Sequence, residues 1–560
     1  MQLQFLGATD TVTGSKYVLD TGRHRVMVDC GLFQGFKTLR LRNWDRLPLE
    51  PASIDAVVLT HAHIDHSGYL PLLVRNGFRG SVHCTMGTAQ LCGILLPDSA
   101  HLAEEDAVYA NHKGFSKHRP ALPLYTGADA ERALRRLQPI PYSKRFTVVR
   151  GVEAEICQAG HIIGSAVVTL FVQGKRIVFS GDLGRQQDLV MRAPEMVRQA
   201  DYLLVESTYG DRRHPDTNPL DLLGEIVSRT IGRGGSLIIP AFVVDRTQSL
   251  LYCLHRLREL KRIPDVPIYL NSPMAIDATT IFSLHPEELR IDPAECAAAC
   301  SLATPVQSME QSIWLNQDHS PKIILAGSGM ATGGRVVHHL AAYGPNARST
   351  ILLSGFQAAG TRGATLASGR RDIRVHGKDI VVRASVEQIE NLSAHADAAE
   401  LMTWLGGFHQ APRRTFVVHG EPQASDALRQ RIERDLHWAV TMPECTGRHI
   451  SSTDSNRESD NPASAAGGRR RNCPRRPASF SILVWSRARN RGAAHALTKS
   501  ERARRQRTVR CLQRSCCHRM PRIALPKRFP PGAQGVQAAS RPRTWLATHP
   551  PQPLSGPGYR

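Results

Sequence analysis

The chain opens with short apolar runs separated by polar turns. The runs LQFLGA, KYVLD and RVMVDCG are divided by TDTVTGS and TGRH, which contain threonine and glycine. Short apolar or alternating runs between such turns are typical of β-strands. The pattern therefore predicts that the chain begins with a series of strands joined by tight turns.

Longer apolar runs further along the chain end in polar residues. IDAVVLTHAH is typical of a buried strand, and in the DHSGYLPLLVRNG that follows it Asp65 or Ser67 is expected to begin a short helix ending at Gly77. RIVFSGDLG and DYLLVESTYG indicate two more buried strands, and DAERALRRLQ has helical spacing. Strands alternating with helices predict an α/β fold. Functional groups in such folds commonly lie on the loops at strand ends.

The composition changes near residue 446. The formal net charge is +22, but residues 451–560 hold 23 Lys and Arg against 4 Asp and Glu, whereas the first 450 residues hold 48 against 45. The body of the protein is thus nearly neutral, and bulk charge identifies no partner. Residues 449–560 are rich in Arg, Pro, Ala and Ser without a periodic apolar pattern, which predicts a basic, disordered tail. This tail is either an arm that binds RNA phosphates or the frameshifted translation of GC-rich DNA.

Several features predict a cytoplasmic protein. The amino terminus MQLQFLGATDTVTGS does not resemble a secretory signal, and no window approaches the ~18 apolar residues of a membrane helix. Eight of the 12 cysteines precede the tail and form no CxxC pair, which argues against a thiolate zinc site and fits a reducing compartment. The length of 560 residues predicts at least two domains.

One strand end carries a dense group of metal ligands. LTHAHIDHSGYL places His61, His63, Asp65 and His66 within six positions. Imidazole nitrogen and carboxylate oxygen both bind zinc, whereas neither packing nor solubility requires such a cluster. If side chains alternate at the beginning of this loop, as they do in a strand, His61 and His63 can point at one ion. Asp65 and His66 can then point at a second ion nearby. The loop therefore predicts a site for two metal ions.

Two ions need roughly twice as many ligands as this loop supplies. The candidates are strand-end residues in glycine-flanked loops, namely His161 in QAGHIIGSA, Asp182 in FSGDLG and His419 in FVVHGEP. A single His or Asp in such a loop more often caps a turn or lies at the surface. The HxHxDH cluster strengthens the metal-ligand interpretation for all three.

These residues resemble motifs of the metallo-β-lactamase superfamily. THAHIDHSG is similar to its HxHxDH motif, Asp29 in VMVDCG to its first aspartate, and His161 and Asp182 to its third and fourth motifs. The resemblance implies an αββα sandwich with two zinc ions at the strand-end edge. It further implies two ligand sets and an orienting residue: His61, His63 and His161 for the first zinc, Asp65 and His66 for the second, Asp182 as the bridge, and Asp29 behind a ligand histidine.

The chain beyond that fold resembles the β-CASP group, whose members cut nucleic acids. Glu206 in LLVESTYG, His395 in ENLSAHADAAEL and His419 in VVHGEP are similar to its motifs A, B and C, and NSPMA and GSGMATGGRVVHHL are similar to its inserted domain. The resemblance covers about 445 residues. It implies a metallo-β-lactamase domain in two parts, residues 1–208 and 384–448, with an α/β β-CASP domain inserted at residues 209–383.

In having histidine at motif C, the chain resembles the RNA-processing branch of the group. It is most similar to bacterial and archaeal relatives of the endonuclease subunit of the eukaryotic cleavage and polyadenylation machinery. The resemblance implies a zinc-dependent ribonuclease that cuts single-stranded RNA through a dizinc-activated hydroxide. His419 would complete the second zinc's ligands, and His395, fixed by Glu206, would protonate the leaving oxygen or hydrogen-bond the scissile phosphate. Asp29, Asp65 and Asp182 would also serve catalysis. Endonucleolytic and 5′ exonucleolytic cutting both stay open, as does a homodimer.

Two weaker site predictions and two alternative functions accompany this interpretation. Arg335, after a glycine-rich turn that leads into a helix near Gly334, and Arg362 in SGFQAAGTRG are expected to contact phosphate. The alternatives are a zinc hydrolase of a small ester or thioester, for which no inserted domain is needed, and a metal-containing RNA-binding module without turnover, against which the complete ligand set argues.

Overall fold

The computed structural model describes residues 1–114, 116–355, 357, 360–375, 377–445 and 448–449. The predicted basic tail at residues 449–560 lies outside this part of the chain, apart from His449. Within the described ranges, no helix is both long enough and apolar enough to cross a membrane.

The strands of the described part are, in chain order, β1 Gln2–Phe5, β2 Tyr17–Asp20, β3 Arg25–Val28, β4 Ala56–Val58, β5 Ser81–Cys84, β6 Leu137–Pro139, β7 Phe146–Val149, β8 Val152–Gln158, β9 Ala166–Val172, β10 Lys175–Phe179, β11 Tyr202–Glu206, β12 Leu237–Ala241, β13 Ile268–Asn271, β14 Thr304–Pro305, β15 Ile323–Gly327, β16 Thr350–Ser354, β17 Asp372–Val375, β18 Lys378–Val381, β19 Ser385–Ile389, β20 Arg414–Val418, β21 Val440–Thr441 and β22 Arg448–His449. The predictions from the apolar runs are confirmed for β1, β2 and β3, for β4 before the HxHxDH motif, and for β10 and β11.

The α-helices are α1 Lys37–Leu41, α2 Ile64–Ser67, α3 Leu70–Arg75, α4 Met86–Lys113, α5 Gly127–Leu134, α6 Pro219–Gly232, α7 Arg246–Glu259, α8 Pro273–Ser283, α9 Pro293–Cys300, α10 Met309–Gln317, α11 Arg335–Tyr343, α12 Arg362–Ala367, α13 Ala398–Leu405 and α14 Pro422–Leu436. Short 3-10 helices span Arg42–Trp44, Pro51–Ser53 and Pro286–Glu288. The helix expected after Gly334 is confirmed by α11.

Two seven-stranded sheets pack face to face. Their strand orders are β22-β1-β2-β3-β4-β5-β6 and β21-β20-β11-β10-β9-β8-β7. Side chains alternate along each strand, so that Val26 and Val28 lie in the core between the sheets while Met27 packs on the outer face. Helices α3, α4 and α5 cover the outside of the first sheet, and α13 and α14 cover the outside of the second. This arrangement confirms the expected αββα sandwich.

A third sheet confirms the inserted α/β domain. Its order is β14-β13-β15-β12-β16-β19, and all of its strand pairs are parallel. Helices α6 and α7 pack on one face, and α10 and α11 on the other. Because both faces are covered, its strands are continuous apolar runs. Strand β19 follows residue 383, the predicted end of the inserted domain. It nevertheless pairs with β16 and so belongs to the third sheet.

The single helix predicted between Asp65 and Gly77 is wrong, because the structure divides it into α2 and α3. The Tyr69 N–H donates to the Cys30 carbonyl oxygen at 2.8 Å instead of continuing the first helix. Gly68 allows the turn, since a Cβ there would lie 2.6 Å from Ile64 Cγ2. The break holds the HxHxDH loop against the end of β3.

The loops after four strands meet at one edge of the sandwich. Strands β10, β11 and β20 are parallel neighbours, so their carboxyl ends lie together. The loop after β4 of the other sheet joins them, because the Ala166 N–H donates to the Thr60 carbonyl oxygen at 2.8 Å. Gly181 is needed at this contact, since its φ is +56° and a Cβ would lie 2.7 Å from Thr60 Cβ. This edge carries the candidate site.

Candidate metal centre

The HxHxDH loop is held by the chain segment that follows β3. The Cys30 N–H donates to the His66 carbonyl oxygen at 2.7 Å, and the Leu32 N–H donates to the Ile64 carbonyl oxygen at 2.9 Å. Between them, Gly31 lies so close to the loop that a Cβ would be 1.5 Å from the Asp65 carbonyl oxygen. The local backbone therefore fixes the direction of the ligand side chains.

Three histidines form a first ligand group, consisting of His61, His63 and His161. His63 Nδ1 lies 3.2 Å from His61 Nε2 and 3.2 Å from His161 Nε2. With Zn–N distances of ~2.0–2.1 Å, neighbouring ligand atoms of a tetrahedral site lie about 3.3 Å apart. The three nitrogens therefore have the spacing of one face of a zinc coordination tetrahedron.

Asp65, His66 and His419 form a second ligand group. His66 Nε2 lies 3.0 Å from His419 Nε2, which lies 3.4 Å from Asp65 Oδ2. The distance from His66 Nε2 to Asp65 Oδ2 is 4.0 Å. One ligand atom from each side chain thus faces a common point.

Asp182 lies between the two groups. Its Oδ2 is 3.5 Å from His61 Nε2 and 3.7 Å from His161 Nε2, whereas its Oδ1 is 3.3 Å from His66 Nε2. Oδ1 is buried beside His66 Nε2 and His419 Nδ1, at 3.3 and 3.4 Å, but no contact from the described residues has the geometry of a hydrogen bond to it. A buried carboxylate oxygen left in this way is costly unless a cation compensates it. The donor set and this oxygen both fit two metal ions that share Asp182.

The protein supplies a partner for the second ring nitrogen of most ligand histidines. His61 Nδ1 lies 3.1 Å from Thr60 Oγ1, His161 Nδ1 lies 3.3 Å from the Ala394 carbonyl oxygen, and His66 Nδ1 lies 2.8 Å from Asp29 Oδ2. Such contacts fix the tautomer and direct the other nitrogen at a metal. Asp29 therefore contacts one of the histidines that the resemblance implies as ligands, and its orienting role stays a prediction.

Burial favours the neutral form of the first ligand group. It lowers the pKa of His61 and of His161 well below 6.5, and it lowers the pKa of His63 to about 4. Neutral imidazole is the form that binds a metal ion. The group is thus ready to accept an ion at neutral pH.

Two residues of the site have an uncommon backbone conformation. Asp29 has a φ of 58° and His419 a φ of 52°. Residues other than glycine rarely occupy this left-handed region, and such strain often occurs at functional sites. The His419 N–H donates to the Ala8 carbonyl oxygen at 2.7 Å, which helps to hold the turn.

His395 lies beside the first ligand group and is not one of its members. Its ring centroid is 4.5 Å from that of His161, and its Nδ1 is 3.3 Å from Glu206 Oε1. Glu206 is buried and also accepts the Leu183 N–H at 2.7 Å. Burial lowers the pKa of His395, but the charge and hydrogen bond of Glu206, together with Asp182, outweigh this effect and raise it to about 9. The arrangement favours a cationic imidazole beside the metal ligands.

The arginines expected to contact phosphate are engaged with the protein. Arg335 donates to Asn271 Oδ1 at 2.9 Å and to the carbonyl oxygens of Val306 and Gln307 at 2.8 and 2.6 Å. Arg362 donates to the carbonyl oxygen of Arg374 at 2.7 Å. These bonds leave fewer donors for a ligand, and phosphate binding by Arg335 and Arg362 stays a prediction.

Sequence reasoning missed two residues that support the ligands. Thr60 immediately precedes the motif, and its hydroxyl contacts both Asp29 and His61. Glu288 lies far away in the sequence, yet its Oε2 accepts the Gly164 N–H at 2.7 Å and the Tyr142 hydroxyl at 3.1 Å. Thr60 could have been inferred from its position, whereas nothing in HPEEL indicates a role for Glu288.

Glu288 fixes the loop that carries His161 from the side of the inserted domain. Thr85 and Thr88 hold the same loop from the opposite side by donating to the Gly164 carbonyl oxygen at 2.6 and 2.8 Å. Gly164 is therefore held at both its N–H and its carbonyl group. The position of His161 depends on all three contacts.

Replacing Glu288 with alanine is expected to weaken zinc binding about 10-fold, because the Gly164 N–H and the Tyr142 hydroxyl lose their acceptor and the loop that carries His161 loses a support. Equilibrium competition with a zinc chelator measures the change. Glu287→Ala is the matched control, because the Glu287 side chain is 66% exposed. Equal zinc affinities for the two variants would contradict a positioning role for Glu288.

The sequence matches three known domain families. It matches the metallo-beta-lactamase superfamily over residues 10–226, the Beta-Casp domain over residues 247–366, and the Zn-dependent metallo-hydrolase RNA specificity domain over residues 379–443. The first and third matches lie on either side of the second. This order corresponds to a sandwich interrupted by an insertion.

Three relatives illustrate the similarity. The chain is 36% identical to ribonuclease TTHA0252 of Thermus thermophilus, over 76% of this chain and 95% of that protein. It is 30% identical to transcription termination factor FttA of Methanosarcina mazei, over 77% of this chain and 68% of the factor. It is 28% identical to an RNase J-like protein of Methanocaldococcus jannaschii, over 79% and 97% of the two chains.

Proposed function

Because the chain belongs to the β-CASP group of the metallo-β-lactamase superfamily, we propose that it is a metal-dependent ribonuclease that hydrolyses phosphodiester bonds in single-stranded RNA. The observation that carries this proposal is the convergence of two ligand groups on Asp182, with His395 beside them. The ribonuclease of Thermus thermophilus, matched over 95% of its length, supports RNA as the substrate.

The ligand set favours two zinc ions. His61, His63 and His161 would hold one ion, and Asp65, His66 and His419 the other, with Asp182 donating an oxygen to each. Bound zinc supplies positive charge that polarises water and offsets charge on phosphoryl oxygens. The absence of thiolate from the set fits this hydrolytic role. Asp29 holds His66 Nδ1, which would leave the Nε2 of that ring to bind the second ion.

His395 and Glu206 complete the chemistry. Glu206 binds His395 Nδ1, which leaves Nε2 as the atom that can give a proton to the departing oxygen or donate to the scissile phosphate. Cationic imidazole is the form required for either task. His395 is 21% exposed and its ring centroid lies 4.5 Å from that of His161, so a substrate phosphate that reaches His395 is also beside the first ligand group.

The burial of the ligands supports a single strand as the substrate. His61, His161 and Asp182 are each at most 2% exposed. The scissile phosphate must therefore reach them past the partly exposed side chains of Asp65 and His395, which are 18% and 21% exposed. A flexible single strand can present one phosphate in this way more readily than a stiff duplex. Internal cutting, with 5′ exonucleolytic cutting as a further mode, is consistent with such entry.

The setting of the enzyme is also part of the proposal. The cysteines of the described part are free thiols, which supports a reducing, cytoplasmic environment. We place the return from the inserted domain to the sandwich after β19 rather than before it, because that strand belongs to the third sheet. A homodimer stays a prediction.

Cleavage of a 5′-labelled single-stranded RNA tests the proposal. The full chain, loaded with zinc, is expected to cut the RNA and to spare the matching DNA and the RNA duplex, and the ladder of products distinguishes internal from terminal cutting. Asp65→Ala is the control that should lose activity, as should wild type treated with a chelator. RNA that survives at measured full zinc occupancy would overturn the proposal and favour either a small ester substrate or binding without turnover.

A further inference from the structure

An exposed segment beside the metal centre combines apolar and basic side chains. Residues 36–46, FKTLRLRNWDR, connect β3 to β4 and contain four cations and one acid. Within this 36–46 segment, Phe36, Leu41 and Trp44 are 54%, 52% and 54% exposed. Large apolar side chains that are grouped and exposed in this way mark an interaction surface.

The 36–46 segment is anchored to the chain that supports the metal ligands. Leu32, whose N–H bonds to the HxHxDH loop at Ile64, is four residues before Phe36, so the two Cα atoms are within about 14 Å. Asn43 Oδ1 accepts the Phe33 N–H at 2.9 Å, and Asn43 Nδ2 donates to the Phe33 carbonyl oxygen at 2.8 Å. The start of the segment and Asn43 are therefore both tethered to the chain that holds the HxHxDH loop.

The segment also reaches the inserted domain. A Cβ placed on Gly360 would lie 3.7 Å from the Phe36 ring. Phe36 thus marks the rim where the sandwich and the inserted domain meet. A single-stranded RNA that crosses from the sandwich to the inserted domain would pass this rim.

Local geometry groups the exposed side chains. Lys37 and Leu41 are four residues apart in α1 and share a side of the helix. Leu41 and Trp44 are three residues apart across the following 3-10 turn, in which such positions align. One face of the segment therefore presents a cation, an aliphatic group and an indole ring.

We propose that the 36–46 segment is a platform on which bases of the RNA stack beside the metal centre, with Trp44 and Phe36 as stacking rings. This inference rests on the proposed ribonuclease function. Aromatic faces that alternate with cations are the means by which proteins hold single strands without reading their sequence. Arg42 pairs with Asp10. Lys37, Arg40 and Arg46 are exposed and have no carboxylate within 4 Å among the described residues, so they are available for phosphates. Four cations against one acid favour a polyanion such as RNA as the occupant of this surface.

Binding measurements test the platform separately from cleavage. In chains that also carry His395→Ala, so that bound RNA is not cut, Trp44→Ala is expected to weaken the binding of a fluorescent single-stranded RNA of about 12 nucleotides on the order of 10-fold, measured by anisotropy. Trp314→Ala is the matched control, since Trp314 is 53% exposed but lies on α10 of the inserted domain. Phe36→Ala is expected to act in the same direction as Trp44→Ala.

An RNA that contains abasic sites identifies the contact. Removing the bases should weaken binding by wild type and abolish the difference between wild type and Trp44→Ala, because stacking needs a base. Equal binding of normal RNA by wild type and Trp44→Ala would overturn the platform while leaving ribonuclease activity intact. Failure of wild type to cut RNA would instead overturn the proposed function, and the anisotropy difference would still report on the platform. A change in sedimentation of Trp44→Ala without a change in RNA affinity would show a protein interface and overturn the inference.

Discussion

Replacing Asp182 with alanine is expected to lower the rate of RNA cleavage by at least about 10³-fold, because metal ions supply several kcal/mol of transition-state stabilisation. Asp182 has one oxygen near His61 and the other near His66. Its loss therefore affects both ligand groups at once. Zinc content after dialysis is expected to fall together with the rate.

The comparison requires variants that separate metal loss from unfolding. Asp182→Asn keeps the shape of the side chain but removes the charge, and Asp211→Ala removes an exposed aspartate that pairs with Arg212. Circular dichroism reports the fold of each variant. Full activity and two bound zinc ions in Asp182→Asn would show that Asp182 does not bridge the groups.

Replacing His395 with alanine is expected to lower kcat about 10²- to 10⁴-fold, the range typical of a general acid. Zinc content should stay at the wild-type level, because no described contact makes His395 part of either ligand group. This combination distinguishes a proton donor from a ligand. His409→Ala is the control, since His409 is exposed and its N–H bonds to the Arg198 carbonyl oxygen, at the amino ends of β11 and β20 and away from the carboxyl ends that carry the site.

The pH dependence of kcat provides a second readout for His395. Glu206 is the main group that raises the pKa of His395 above 6.5. The protonated form is present below this pKa and is lost as the pH rises through it. Glu206→Gln should therefore move the alkaline limb of the kcat profile to lower pH, and an unmoved limb would show that His395 is not the titrating acid.

Cleavage by His395→Ala at the wild-type rate would show that His395 is not the proton donor. Absence of cleavage by both proteins, with RNA binding retained, would instead favour a binding module without turnover. A loss of activity with retained zinc and retained RNA binding separates the hydrolase from a binding module.

The sequence by itself determined the features that depend on local pattern. Alternating apolar residues predicted β1 to β3, and the HxHxDH cluster predicted a metal site, because its residues are close in space whatever the rest of the chain does. Glycine-flanked strand ends pointed to His161 and Asp182. Their assignment to particular ions, however, came from family resemblance and not from spacing.

The structure alone decided which distant residues meet and how. His66 and His419 are 353 positions apart, yet their Nε2 atoms lie 3.0 Å from each other. Glu288 reaches Gly164 across 124 positions without any signal in its surroundings. The helix after the HxHxDH motif breaks because Tyr69 bonds to Cys30, a long-range contact that helical spacing does not contain. Local periodicity fixes the direction of each side chain, but sheet order fixes which strand ends are neighbours, and that order results from packing of the whole chain.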